Sequence, residues 1–462
     1  MARVRPAGDG AGAACVTVGG LARYQAVGPN QVEAAYRRSP VATQLQLPHS
    51  IQIDGQAARR GLIPRMPSGD RLLADVARWL LADYADYVRA THQRTPGEGE
   101  SDLTVSLHPA APAVVITASD AGRVTVTAET AAAGPGYHRF LGQVLGRMAE
   151  DSSIEWSSRD ADLFAFADRP VVERAYLGWL GPVLGRARDA LRLGARSQLG
   201  LPDGTRFTFD GAIATALGPR DEAWLTAAIA DPRVAIDITP WWADAPDPRY
   251  LLNRALTLMW TEVRWRRPAV DGEQALFEDL HHLLTKAYPM EPDLPYPWHA
   301  WAEVIAYGGL DDAMARQVIA RSASMPPPAF PPGYRRSPVR ITHEGWSLSV
   351  PGEFAERRTA EEWWGGGPGR RITLAAVPIG SMGAQAFVSQ FAADLGDDAL
   401  THRAGDLVGR ARITTDPSSG LEIAILDGYS AVPGTGAAIR IEFDDAADWQ
   451  WALDLWRSLA PG

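Results

Sequence analysis

The tightest constraint in this 462-residue chain is a proline-rich stretch at residues 324–338. Pro326, Pro327, Pro328, Pro331 and Pro332 each lack a backbone donor and have a fixed φ, so no helix or ladder strand runs through them. The stretch therefore predicts a linker with a globular part on either side. Residues 31–323 are expected to form an α+β domain and residues 339–462 a smaller globular part. A chain of this length agrees, since domains run to roughly 100–200 residues.

Upstream of the prolines the apolar spacing changes period several times. Residues 1–30 carry Gly and Ala without periodicity, which predicts a loose arm with one short strand around Cys15–Val18. From Asp70 to Val88 a single stripe (Leu72, Leu73, Val76, Trp79, Leu80, Tyr84, Tyr87) predicts a helix, with Ser68 near its N-cap. The period then falls to two at Leu103, Val105 and Leu107, at Val114, Ile116 and Ala118, and at Val124, Val126 and Ala128. That pattern reads as an antiparallel three-stranded meander turning at Asp120–Gly122. Gly134-Pro135-Gly136 ends it and opens a helix. Residues 151–323 read as mostly helical, with Pro170 and Pro248 placed to begin helices. Further helices are expected at 272–287 and 298–307, and short strands at Phe207–Phe209 and Val234–Ile236. Segments 31–150 and 151–323 are either two subdomains or one α+β unit, since each carries an apolar face that needs a partner.

Beyond the prolines the order is strand, strand, helix, three strands, helix, the last running from Asp448 to Leu459. The opening strand Trp346-Ser347-Leu348-Ser349-Val350-Pro351 and the closing aromatic helix from Trp449 resemble those of the PsbP/Mog-like α+β sandwich. The resemblance covers about a quarter of the chain and is one of pattern. It implies a partner-binding module and carries over no functional residue.

Charge and composition exclude several classes. A formal net charge of −10 and a pI near 5.5 argue against nucleic acid, whose phosphates favour basic surfaces. Cys15 is the one cysteine, so neither an intrachain disulfide nor a multi-cysteine metal site is expected. No apolar run reaches the roughly 18 residues of a membrane span, and the N-terminus lacks the apolar core of a signal peptide. A cytoplasmic protein is the expectation. Lys286 is the one lysine among 45 basic residues, the bias of a GC-rich bacterial genome. It stands in Thr285-Lys286-Ala287, which is no phosphate-binding loop.

Candidate chemistry lies upstream. Glu278 with His282, and His299 with Glu303, each share a helix face at i,i+4 spacing and would form a divalent-metal site if the two helices faced each other. Leu276, Phe277, Leu280, Leu283 and Leu284 define the apolar stripe of the first helix, so its Glu278 and His282 fall on the solvated side. An ordinary surface pair is therefore the stronger expectation, and no cofactor is predicted. His281 flanks the stripe and reads as a partly buried structural histidine. Gly134–His138 stands at a strand-to-helix junction and reads as a turn with His138 exposed. Gly380-Ser381-Met382-Gly383 lacks the glycine of a nucleophile elbow at Ile379, which leaves Ser381 as a helix cap. Gly365–Gly369 predicts a flexible hairpin loop. Tyr296, Trp298 and Trp301, held irregular by Pro295 and Pro297, predict an exposed aromatic surface for a protein partner. The functional expectation is a bacterial interaction or accessory protein without its own catalysis; an immunity role would fit. A metal-assisted hydrolase around 278–303 is the alternative.

Overall fold

The structure, a computed structural model, describes residues 44–45, 50–58, 67–97, 100–157, 168–195, 197–201, 204–359, 361–416 and 423–462. The arm expected at 1–30 lies outside them. The first half opens with β1 (Gln44–Leu45), β2 (Ser50–Ala57), α1 (Gly69–Asp83), β3 (Ala90–Gly97) and β4 (Glu100–Ser106). It continues through β5 (Val114–Ser119), β6 (Arg123–Glu129), α2 (Pro135–Ser152) and β7 (Ile154–Trp156). The expected meander is β4-β5-β6, inside a six-stranded antiparallel sheet ordered β3-β4-β5-β6-β2-β7. Alternation places Leu103, Val105, Ile116, Ala118, Val124 and Val126 on one buried face. The α1 stripe of Leu72, Leu73, Val76 and Leu80 packs into the same core. Helix α1 stops at Asp83, five residues short of the expectation, because Tyr84 caps it in a non-helical conformation. At its other end, a side chain on Gly69 would lie 2.4 Å from the Ala118 carbonyl, so only glycine lets the helix start this close to the sheet.

The helical region follows with α3 (Arg169–Arg192), β8 (Gln198–Leu199), β9 (Thr205–Arg206), β10 (Ala212–Thr215), β11 (Arg220–Asp221) and α4 (Glu222–Ala230). Then come α5 (Pro248–Thr261), α6 (Glu273–Ala287), α7 (Trp298–Gly308) and α8 (Ala313–Ala323). Two expected strands are corrected here. Val234–Ile236 lies inside a 3-10 helix, Pro232–Ile238: Asp231 accepts from the Arg233 amide and Pro232 presets the first turn, which together override the β-branched residues. Phe207–Phe209 makes no ladder. Phe209 forms one isolated bridge to Ala212, while Phe207 is buried as a packing residue.

The C-terminal part contains β12 (Val339–His343), β13 (Trp346–Val350), β14 (Ala355–Arg358), β15 (Glu362–Gly367), β16 (Arg370–Pro378), α9 (Ala384–Phe391) and β17 (Leu400–Ala404). It closes with β18 (Leu407–Asp416), β19 (Ile423–Val432), β20 (Thr435–Phe443), α10 (Trp449–Arg457) and β21 (Ala460–Pro461). A seven-stranded antiparallel sheet, β14-β15-β16-β20-β19-β18-β17, forms its body. Helix α10 buries Ala452, Leu453, Leu455 and Trp456. The class is mixed α+β, as expected. Gly365–Gly367 belongs to strand β15, not to a loop, with the Trp363 ring lying where a Gly365 side chain would stand. The turn itself is Pro368-Gly369, with Gly369 at φ 68°.

The division at the prolines also needs correcting. Hairpin β12–β13 does not stand apart: β12 pairs with β9 of the helical region, Arg340 opposite Arg206 and Ile341 opposite Thr205. Tyr334 is buried between Phe207 and Trp260, with ring centroids 5.2 and 4.8 Å away. Its hydroxyl donates to the Thr215 carbonyl at 2.9 Å and accepts from the Thr215 amide at 2.8 Å. The proline-rich stretch is docked against both halves. It is not a tether.

Candidate interaction site

Helix α8 ends at Ala323, and from Met325 the backbone changes character. Pro326, Pro327 and Pro328 have no N–H to offer, and Met325, Pro326 and Pro327 each precede a proline, which bars them from the helical region. The chain bends at Ala329 and Phe330, reaches Pro331-Pro332, and re-enters the core at Gly333–Arg335. Residues 326–330 are all exposed, Phe330 to 67%, whereas Tyr334 is 5% exposed four residues later. The result is a surface strap.

This strap is held at three points. Near its start, His299 Nε2 lies 2.9 Å from the Pro326 carbonyl. A carbonyl only accepts, so His299 donates from Nε2. In the middle, the Phe330 ring meets Phe209 edge-on with centroids 5.6 Å apart. At the far end, Arg336 Nε donates to the Pro332 carbonyl at 2.7 Å. Arg336 is itself fixed by a bidentate pair with Glu303, 2.9 and 3.1 Å, and by the Trp265 ring 3.6 Å beneath its guanidinium. Gly333, at φ 126°, leaves room for Trp265: a side chain there would come within 2.1 Å of the indole nitrogen. Trp265 itself has φ 50°, a left-handed value rare for a large residue and sustained only by surrounding packing.

The predicted metal ligands are accounted for by this arrangement. His299 and Glu303 do share a face of α7, and that face holds the strap. Glu278 accepts from Gln274 at 3.0 Å on the exposed side of α6, and His282 is exposed on the same helix. Among the described residues no group of three or more His, Cys, Asp or Glu is placed to hold a metal ion. The four residues are therefore not brought together.

The predicted aromatic surface is overturned. Tyr296, Trp298 and Trp301 are 5, 6 and 0% exposed. Pro295 and Pro297 do keep the segment irregular, but they fold it inward through tight turns, Tyr296 N–H to the Leu294 carbonyl and Trp298 N–H to the Tyr296 carbonyl. Trp298 and Trp301 stack with centroids 5.5 Å apart, and Arg321 of α8 lies 4.3 Å above Trp298. Trp301 Nε1 donates to His281 Nδ1 at 2.9 Å, so the His281 proton sits on Nε2, 2.9 Å from Asp312. Asp312 in turn accepts from the Ala315 amide and caps α8. That amide bond, with His281, holds the Asp312 carboxyl below its ordinary range. His281 is the buried structural histidine expected, and the chain Trp301–His281–Asp312 fixes α6, α7 and α8 beneath the strap.

A buried ionic cluster lies next to the strap's re-entry point. Glu356 of β14 sits 2.7 Å from Arg335 and 3.6 Å from Arg264, with the Trp363 indole donating to its other oxygen at 3.2 Å. Arg335 also donates to the Thr261 carbonyl, and Arg264 to the Phe354 and Glu262 carbonyls. Burial acts to raise the Glu356 carboxyl, but Arg335 and Arg264 outweigh it and hold the group below the usual range. Burial, reinforced by Arg335, pushes Arg264 down to about 10. In the sequence Arg264, with Arg266 and Arg267, reads as a solvated helix end, whereas its side chain is mostly buried here; nothing marked Arg335 or Glu356, because the meeting of the three depends on how the halves dock.

A shallow concavity lies between α2 and α3. Thr130, Pro135, His138, Val172 and Tyr176 line it. His138 is half-buried here, with Nδ1 3.0 Å from the Thr130 hydroxyl, and not exposed as expected. The start of α2 makes a poor anion site. Pro135 has no N–H, and the Gly136 amide is used by the Trp241 carbonyl. Ser381 does not cap α9; Gly383 holds that position without a side-chain bond.

No protein-family profile matches the chain. No curated protein matches it either. Among solved structures, a protein from Bacteroides thetaiotaomicron VPI-5482 aligns over 26% of this chain and 45% of its own length, at 9% identity and a TM-score of 0.22. A likeness of that size carries no argument about fold or function.

Proposed function

We propose that this chain acts by binding a protein partner and that Met325–Pro332 is the contact it presents. The observation behind the reading is the strap itself: an apolar segment with Phe330 67% exposed, yet fixed by His299, Phe209 and Arg336. Apolar groups on a surface are ordinary singly, but a contiguous exposed set marks a contact, since a partner that covers it removes apolar area from water. Fixing the segment beforehand lowers the ordering cost of association. A cytoplasmic setting in a bacterium belongs to the same reading, supported by the lone Cys15 and the arginine bias. Among the described residues no helix is long and apolar enough to cross a membrane. The hydrolase alternative is weaker, because His299 and Glu303 are already engaged in holding the strap.

The test is co-purification from the cells that make the protein, comparing Phe330→Asp with Leu193→Asp. Leu193 is 82% exposed and far from the strap in sequence. The reading expects a stoichiometric companion that survives the Leu193 change and is lost with the Phe330 change. A companion insensitive to Phe330→Asp would remove the strap from the account.

A further inference from the structure

Proteins read short segments in a few physical ways, and the strap's own chemistry eliminates most of them. An amphipathic helix in a groove is excluded, since Pro326–Pro328 and Pro331-Pro332 interrupt any helix here. Strand addition is excluded as well. Three successive residues without N–H cannot supply the alternating donors of a ladder. Capture by an arginine cluster needs a phosphate or an acid, and Met325–Pro332 contains no charged residue. What remains is recognition of pyrrolidine rings and their exposed carbonyls by aromatic side chains.

We infer that the partner carries an aromatic-lined groove that reads Pro326–Pro328 as a polyproline II ligand and takes Phe330 in an adjoining pocket. The inference rests on the strap being the contact, as proposed above. Met325, Pro326 and Pro327 each precede a proline, which favours extended backbone, and proline's φ of about −65° lies close to the polyproline II value. Such a helix has no internal hydrogen bonds, so, apart from the Pro326 carbonyl that His299 already holds, its carbonyls stay available to a partner's indole or phenol donors. The bend at Ala329 and Phe330 then sets the phenyl ring apart from the three rings. Phe209 meets that ring edge-on, and 67% of Phe330 stays open. The pins at the Pro326 and Pro332 carbonyls hold the two ends, so the ligand is displayed nearly rigid.

Surface plasmon resonance of the full-length chain over immobilised, purified SH3, WW and EVH1 domains tests the groove chemistry directly. The expected result is saturable micromolar binding to at least one of these classes. Changing Pro326, Pro327 and Pro328 together to Ala should weaken it by at least about tenfold. All three are exposed, so the variant should still unfold cooperatively, with a melting temperature lower by a few degrees because the unfolded chain gains the freedom that the prolines withheld. A synthetic peptide covering 325–332 should bind the same domain about tenfold more weakly than the protein, the margin expected from fixing the segment in advance. Absence of binding to all three classes, or equal binding by the triple variant, overturns the inference. If the companion protein nevertheless depends on Phe330, the strap survives and the polyproline groove alone is wrong. If that dependence fails too, both readings fall.

Discussion

Replacing Glu356 with Gln removes one negative charge from between two buried arginines and leaves the shape of the site almost unchanged. Arg335 is 6% exposed, Arg264 17% and Glu356 13%, so solvent screens the three poorly. At an effective dielectric of about 20, contacts of 2.7 and 3.6 Å correspond to gross attractions of about 6 and about 5 kcal/mol. Most of that offsets desolvation, and removing one partner of a buried pair typically costs about 3–5 kcal/mol. The amide introduced by Glu356→Gln has one acceptor oxygen where the carboxylate has two, so if it accepts from Trp363 its NH2 faces Arg335 and Arg264; both arginines keep their carbonyl partners, and the expected loss is about 4 kcal/mol. Urea unfolding followed by tryptophan fluorescence measures it. The acid limb gives a second reading. Because the Glu356 carboxyl is held below its unfolded value, its contribution is full above about pH 5 and is lost as pH falls through the folded value. The wild type should therefore lose stability more steeply than Glu356→Gln on acidification. A loss under about 1 kcal/mol for Glu356→Gln, with identical acid limbs, would refute the claim that this cluster holds the halves together.

Two further outcomes concern the core of the first half. His108 is 1% exposed among the rings of Tyr137, Trp241 and Tyr250, and burial, helped by Arg254 and Arg89, pushes its pKa well below the ordinary imidazole value. The unfolded chain therefore takes up a proton that the fold excludes. Stability should fall as pH drops below about 6.5, by up to about 1.4 kcal/mol per pH unit from this group, and His108→Asn should flatten that slope; an unchanged slope would contradict it. The Tyr137 hydroxyl is buried with no hydrogen-bond partner among the described residues. Tyr137→Phe should be neutral or stabilising in thermal unfolding, whereas a loss above about 1 kcal/mol would mean the hydroxyl is bonded in solution.

How much was legible in the sequence depended on how local the cause was. Strands β4, β5 and β6 and helices α1 and α10 announce themselves, because one apolar face against one core leaves a period in the residues. Val234–Ile236 misled because β-branched composition was read without the capping Asp231 and Pro232 beside it. Strand β14, Ala-Glu-Arg-Arg, is polar in sequence because its Glu356 is neutralised by arginines from distant segments. The pairing of His299 with Glu303 on one face was correct, yet its partner was unreadable. Nothing local says that residues 27 and 33 positions away will dock there. Tyr296, Trp298 and Trp301 show the same limit in reverse. Their prolines fixed an irregular backbone, but whether that backbone faces water or core was decided by α6 and α8.

The measurement that bears most directly on the account is site-specific photo-crosslinking in the producing cells, with a photoreactive phenylalanine analogue at position 330 and, separately, at Leu193. Both sites are well exposed, so accidental encounters should mark them alike. The account predicts one discrete adduct from position 330 that is absent from 193 and diminished when His299→Ala and Arg336→Ala release the strap. No adduct at 330, or the same adducts from both positions, would contradict it.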